Sequence, residues 1–447
     1  MERQYKDSGL MWIGKIPETW KVDRFKNKFK TGKGLNITKG DLVPEGIPVV
    51  SYGQVHSKQN TGTRLNDQLI RYIPSILAEE GVSSKVSVGD FIFADTSEDI
   101  DGCGNAVYVD KEIGLYAGYH SVIAFAKHPE ESKYYAYLFL TECWRSQIRM
   151  RVTGIKVFSI SQAILNETTI ILPPLAEQQQ IADFLDKKCG EIDGLMAIQE
   201  QMIAKLTDYK QSVITEAVSK GLNPDAQLVP SGIDWIAVIP KGWKNVRFYY
   251  SNWIRGRLGW KGLKSEEYTE SGYPFLSAFN IINNKLDWSD INYINQERYD
   301  ESPEIKLKVG DILLVKDGAG IGKCARIDEL PLGESTVNSS LAVITPKAFL
   351  NYKYLYYYLQ SNSFWSIINL LLVGMGVPHL TQTNMKNIKM PLPPLEEQVV
   401  IAEYLDAKCG EIDRLIETKR QKIETLKEYK KCVIYEAVTG KTDLWDS

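Results

Sequence analysis

Two stretches decide how this chain folds: PPLAEQQQIADFLDKKCGEID at 173–193 and PPLEEQVVIAEYLDAKCGEID at 393–413. They lie 220 positions apart and agree at 15 of 21 places; over 173–218 against 393–438 the agreement is 26 of 46. Self-similarity at a fixed offset marks a duplicated chain. Each copy opens on a proline pair, after which no proline occurs until Pro224 in the first and none at all in the second. Ile192, Leu195, Met202, Leu206, Tyr209 and Val213 recur at three-, four- and seven-residue steps, as do Ile412, Leu415, Leu426, Tyr429 and Val433. That period predicts an amphipathic helix of about 40 residues in each copy. Lys419 and Lys422 interrupt the second stripe, which favours two helices packed on each other over a long strict zipper. Gly190 and Gly410 are expected to break each helix near its first quarter, at about 1 kcal/mol relative to Ala.

Working outward, the duplication has a matching front: WIGKIPETWKVDRF (12–25) aligns with WIAVIPKGWKNVRF (235–248). Between front and helix the likeness thins to landmarks. GIPVVSYGQV (46–55) faces GYPFLSAFNI (272–281), SVGDFIF (87–93) faces KVGDILL (308–314), and TGIKVFSISQ (153–162) faces VGMGVPHLTQ (373–382). Short β-rich runs between Gly and Asp, each series closing on a tyrosine-rich helix, place the variable halves in the mixed α/β (α+β) class. The expected order is a variable domain at 1–170, a helix at 171–222, a variable domain at 223–390 and a helix at 391–447. Two copies that differ where specificity would be put, and agree where scaffold would be put, are themselves a functional clue.

With 447 residues, 44% apolar and 24% charged, the composition is that of a globular chain of two to three domains. No apolar run approaches the ~18 residues of a membrane span, and MERQYKDSGL lacks an apolar signal core. Six scattered cysteines without a CxxC pair argue against a zinc ribbon or a disulfide framework. A cytoplasmic location is the expectation. The net charge of −3 hides two basic runs. Lys21, Arg24, Lys26, Lys28, Lys30, Lys33 and Lys39 gather with only Asp23 opposing, and Lys241, Lys244, Arg247, Arg255, Arg257, Lys261 and Lys264 gather with no acid. Interleaved with Phe25, Phe29, Trp253 and Trp260, they suit a polyanion.

Catalytic motifs are not found. Gly318-Ala319-Gly320-Ile321-Gly322-Lys323 fails as a phosphate loop, with Asp317 where glycine is needed and Cys324 in place of the magnesium-binding hydroxyl; a tight turn between strands is expected. No motif for amine methylation or for dinucleotide binding is present, and His56, His120, His128 and His379 are too dispersed for a triad. Asp90, Asp95, Glu98 and Asp99 read better as surface carboxylates than as a metal site.

The twice-repeated PPLxEQxxIAxxLDxKCGEID, each copy preceded by a VGD-strand domain, resembles the specificity subunit of type I restriction–modification enzymes, over nearly the whole chain. The resemblance implies that 1–170 and 223–390 are target-recognition domains, each reading half of a split, asymmetric sequence in double-stranded DNA. It implies helices packed antiparallel as a spacer, and two modification subunits as partners. Restriction–translocase subunits join in the full complex. S-adenosylmethionine, ATP and magnesium would belong to those partners, with no cofactor or metal and no catalysis in this chain.

On that footing Lys30, Lys33, Arg151 and Lys156 in the first domain and Arg255, Arg257, Lys261 and Lys323 in the second are the expected phosphate contacts. Ser51, Tyr52, Gln54, His120, Ser277, Asn280 and His379, in Gly-flanked polar loops, are the expected base readers, since base edges are read by such donors and acceptors. Lys156 has no cationic counterpart in VGMGVPHLT, so a contact there does not transfer between copies. Two other readings compete. A coiled-coil scaffold without DNA specificity would not need the basic runs, and a DNA-modifying enzyme with an unrecognised site would bind S-adenosylmethionine or nick DNA by itself.

Overall fold

The computed structural model describes residues 3–10, 12–154, 156–257, 263, 265–318, 320–372 and 379–442. The chain divides into two compact units, 1–198 with 422–447, and 199–421. Each unit therefore holds one variable domain, the start of the helix that follows it, and the end of the other repeat's helix.

The first unit is built on a four-stranded antiparallel sheet ordered Phe29–Lys33, Ser121–Ala126, Phe91–Ala94, Ala106–Tyr108. A three-stranded sheet, Tyr116–Ala117, Ile47–Val50, Arg71–Ile73, stands with it. The second unit repeats both: Asn252–Arg255, Leu341–Pro346, Ile312–Val315, Cys324–Arg326, and Asn292–Ile294, Tyr273–Leu276, Thr336–Val337. The VGD landmark leads into the central strand, whose residues Phe91–Ala94 and Ile312–Val315 are all buried. A strand apolar on both faces is covered on both faces. The VGD aspartates lie inside rather than on the surface. Asp90 accepts hydrogen bonds from the Ser87 and Ala126 amides at 2.9 and 2.8 Å, and burial pushes its carboxyl above the usual range.

The tyrosine-rich segments form helix pairs, Ser132–Leu138 with Glu142–Arg149 and Tyr352–Gln360 with Asn362–Leu372. The long helices run Leu175–Lys220 and Leu395–Val438. They pass through Gly190 and Gly410 without a break, because the buried Cys189 and Ile192, and Cys409 and Ile412, flanking each glycine outweigh a propensity deficit of about 1 kcal/mol. Within the first unit Ile181, Leu185 and Cys189 share a core with Val433, Ile434 and Val438, the start of one helix beside the end of the other. Within the second, Ile401, Leu405 and Cys409 meet Ile214, Ala217 and Val218. The helices are thus antiparallel.

The repeated motifs are the joints of this scaffold. Asp193 of the first GEID pairs with Lys430 at 2.7 Å, and Asp413 of the second pairs with Lys210 at 2.6 Å. Trp20 and Trp243 donate their indole N–H to Glu177 and Glu397 of PPLxEQ, at 2.8 and 2.9 Å. Tyr134 donates to the Val438 carbonyl and Tyr354 to that of Val218, so each variable domain caps the helix of the other repeat. Asp186 accepts from the Tyr137 hydroxyl, as Asp406 does from Tyr357. The expected apolar stripe is only partly inside: Leu195, Met202, Tyr209, Leu415 and Tyr429 are more than 40% exposed. The fold buries earlier and later turns of each helix against the domains and leaves these side chains facing outward.

Candidate nucleic-acid interface

One ladder of backbone hydrogen bonds, repeated in each unit, gathers four loops at one end of the sheets. In the first unit Gly118 N–H donates to Val50, Tyr52 to Tyr119, Asp95 to His120 and Ile160 to Asp95. In the second, Asn338 donates to Leu276, Lys316 to Ser340 and Leu380 to Lys316. The four parts are the turn after Val50 or Leu276, the turn before the strand at Ser121 or Leu341, the residues following Ala94 or Val315, and the described residues at Ile160 or at His379 and Leu380. Loops carried at the ends of a rigid sheet are where recognition residues are held in place.

In the first unit the loops enclose an open cleft of about 670 Å³ lined by Tyr52, His56, Glu98, Asp101, Asn105 and His120, among others. Tyr52 packs edge-on to the rings of Tyr119 and His120, with centroids 5.6 and 5.5 Å away. His120 sits at φ 52°, an uncommon conformation for a residue with a Cβ, with its Nδ1 3.3 Å from Asp95. His56 is locked: its Nε2 lies 2.8 Å from the Thr96 carbonyl oxygen and its Nδ1 3.2 Å from the Asn105 amide. Arg149 braces the acidic wall through the Asp101 carbonyl at 3.0 Å and Glu142 at 2.7 Å. Lys156 is exposed next to Val157, a further lining residue.

The second unit puts different side chains on the same frame. His379 pairs with Asp317, which Lys316 also contacts. Burial pushes Asp317 up, but the bonds from Lys316 and His379 outweigh it and hold the carboxyl below the usual range. The glycine-rich segment is a turn between strands, and Lys323 projects from it, exposed. Gly322, at φ 88°, lies against Trp365, where a Cβ would come within 2.7 Å of the ring, so only glycine fits. Among the described residues no group of three His, Cys, Asp or Glu is placed to hold a metal, and no helix is long and apolar enough to cross a membrane.

The fifteen expected contacts separate into classes. Tyr52, His120, Lys156, Lys323 and His379 lie on the loop cluster, and Lys30 and Lys33 are exposed on an adjoining strand without an ion-pair partner among the described residues. Arg151 is exposed and donates to the Gln147 carbonyl at 2.6 Å. Ser51 and Gln54 cap one turn, the Ser51 N–H donating to Gln54 Oε1 at 3.2 Å. Ser277 and Asn280 cap the matching turn at 2.8 Å, so these four brace the loops from within. Arg255 is turned inward, donating to the Glu304 and Lys306 carbonyls, to Thr345 and to the fully buried Asp311. Arg257 is only 3% exposed, 3.6 Å from Glu301, and burial lowers its pKa. Lys261, with Trp260 and Lys264, lies outside the described residues.

The basic runs are not equivalent surfaces either. Phe25 and Phe29 are core, Arg24 and Lys26 flank Glu167, and Lys28 pairs with Glu131. Strand register places Lys26, Asn27 and Lys30 where the second unit has Tyr249, Tyr250 and Trp253, each more than half exposed. The signal in the sequence for these exposed rings is YYSNW, an aromatic run inside a basic one.

Residues 17–207 and 259–428 match the family model described as the type I restriction modification DNA specificity domain. The chain belongs to this family. As a specificity subunit with two such domains it is 25% identical over 433 residues to the putative MjaX specificity subunit of Methanocaldococcus jannaschii, covering 96% of this chain and 95% of that one. It is 28% identical over 309 residues to the MjaVIII specificity subunit of the same organism, covering 68% and 69%. A solved chain from work on complex assembly and conformational transition of the type I R-M system shares the fold, with a TM-score of 0.71 at 19% identity over 96% of this specificity subunit and 99% of that chain.

Proposed function

We propose that this specificity subunit reads a bipartite, asymmetric DNA site, with 1–170 and 223–390 each recognising one half. The long helices set the gap between the halves and dock two modification subunits. The observation that carries this is the repeated loop cluster: the same hydrogen-bond ladder presents Tyr52 and His120 in one unit and His379 in the other. An invariant frame with different reading groups is what two unlike half-sites require. Lys30, Lys33, Arg151, Lys156 and Lys323 hold phosphates.

Exposed apolar side chains on the helices support docking, since side chains such as Leu195 and Ile198 in the first unit and Met202, Tyr209 and Tyr404 in the second suit a protein interface. The methyl donor S-adenosylmethionine and the ATP and magnesium of a restriction–translocase belong to the partner subunits, and the complex works in the cytoplasm.

The test is methylation mapping in cells carrying the neighbouring modification subunit, with and without this chain. A split adenine-methylated motif that disappears without the chain is the expected result, and methylation that persists unchanged refutes the reading. Replacing 223–390 by a related domain should alter one half of the motif only.

A further inference from the structure

Resting on the DNA-recognition reading, we propose that Phe279 is a specificity-determining residue of the second domain and reads the C5-methyl group of a thymine in its half-site. The capped turns carry the argument. Because Ser277 and Asn280 close the turn on each other, and Asn280 also donates to the Asp290 carbonyl at 2.8 Å, the residues presented outward are those between the caps. In the first unit these are Tyr52 and Gly53, which line the polar cleft; in the second they are Ala278 and Phe279.

Phe279 is 92% exposed, a fully apolar ring on a braced backbone, with its own N–H tied to Ser277 Oγ at 3.3 Å. The turn stands at the loop-cluster end of the sheet, through the bond from Asn338 to Leu276 and the link from Lys316 to Ser340. In the major groove the thymine methyl is the one apolar feature of the base-edge code, and phenylalanine is among the side chains that meet it. An acidic and polar cleft in one domain and an apolar ring in the other then read chemically different edges.

The experiment uses the full chain in complex with its modification subunit, after the methylated motif has been mapped. Duplexes are made with each thymine of the second half-site replaced in turn by deoxyuridine, which removes only the methyl. Affinities are measured at fixed salt for the wild type and for Phe279→Ala and Phe279→Leu. At one thymine the wild type should lose about fourfold, the worth of one buried CH₂-sized group. Phe279→Ala should bind the thymine duplex correspondingly more weakly and not distinguish it from the uracil duplex, while Phe279→Leu should keep part of the discrimination.

Phe279 packs into no core, so the alanine variant is expected to fold. A wild type indifferent to every replacement, an alanine variant that still discriminates, or a second half-site without thymine would overturn the assignment. Loss of binding by Phe279→Ala with the wild type blind to uracil would point to a wedge between base steps and also overturn it. If mapping finds no motif that depends on this chain, the DNA-recognition reading itself falls, and that result is visible before any duplex is made.

Discussion

Arg255 lies in a basic run that invites a phosphate contact, yet its guanidinium makes four hydrogen bonds inside the second unit. Two go to the carbonyls of Glu304 and Lys306 at 3.0 and 3.1 Å, one to Thr345 Oγ1 at 2.7 Å and one to Asp311 Oδ2 at 2.8 Å. Asp311 is fully buried and the Arg255 side chain is 21% exposed. Removing one partner of a buried pair costs about 3–5 kcal/mol, because the other charge is left uncompensated. Thr345 and the Lys308 amide remain on Asp311, so the low end, about 3 kcal/mol, is expected for Arg255→Ala. For a unit of this size that is a fall of roughly 6–12 °C in the unfolding midpoint. Asp311→Asn in the same chain should recover part of the loss by removing the orphaned charge. The salt dependence of DNA binding, measured on protein shown to be folded, should be unchanged. A variant with wild-type melting and a flattened salt slope would refute the structural assignment and return Arg255 to the DNA surface.

Lys30→Ala with Lys33→Ala should leave the melting midpoint in place and reduce the slope of log K against log salt by about 1.8, near 0.9 per phosphate contact; filter binding across a salt series checks it. Trp20→Phe and Trp243→Phe each delete an indole bond to a carboxylate and should each destabilise by about 1.5–3 kcal/mol in urea unfolding, the two effects adding if the units are independent. Asp406 is pushed up by burial but held below its ordinary value by Arg326, Tyr357 and Lys353. A depressed carboxyl stabilises above its unfolded pKa and loses that contribution as pH falls through the folded one, so wild-type stability should drop below about pH 4. Asp406→Asn should be less stable at neutral pH and flatter across that window, as thermal melts at a series of pH values would show.

The amino-acid pattern alone determined the duplication, the alternation of mixed α/β domains with long helices, and the family. Repeats and helical period are local in sequence, and a motif written twice needs no coordinates. The same pattern could not say which polar residues face outward. Ser51, Gln54, Ser277 and Asn280 are typical loop polars, but the turn uses them as its own caps, which leaves Tyr52 on the cleft and Phe279 in solvent between them. Arg255 and Lys30 belong to similar basic runs, yet strand register matches Lys30 to the exposed Trp253, and the buried Asp311 with the Glu304 and Lys306 carbonyls draws Arg255 inward. The stripe through Leu195, Met202 and Tyr209 has helical period, yet period does not tell which face a neighbour covers. Burial is decided by partners hundreds of residues away, as when Val438 meets Tyr134, and that is information only the tertiary structure holds.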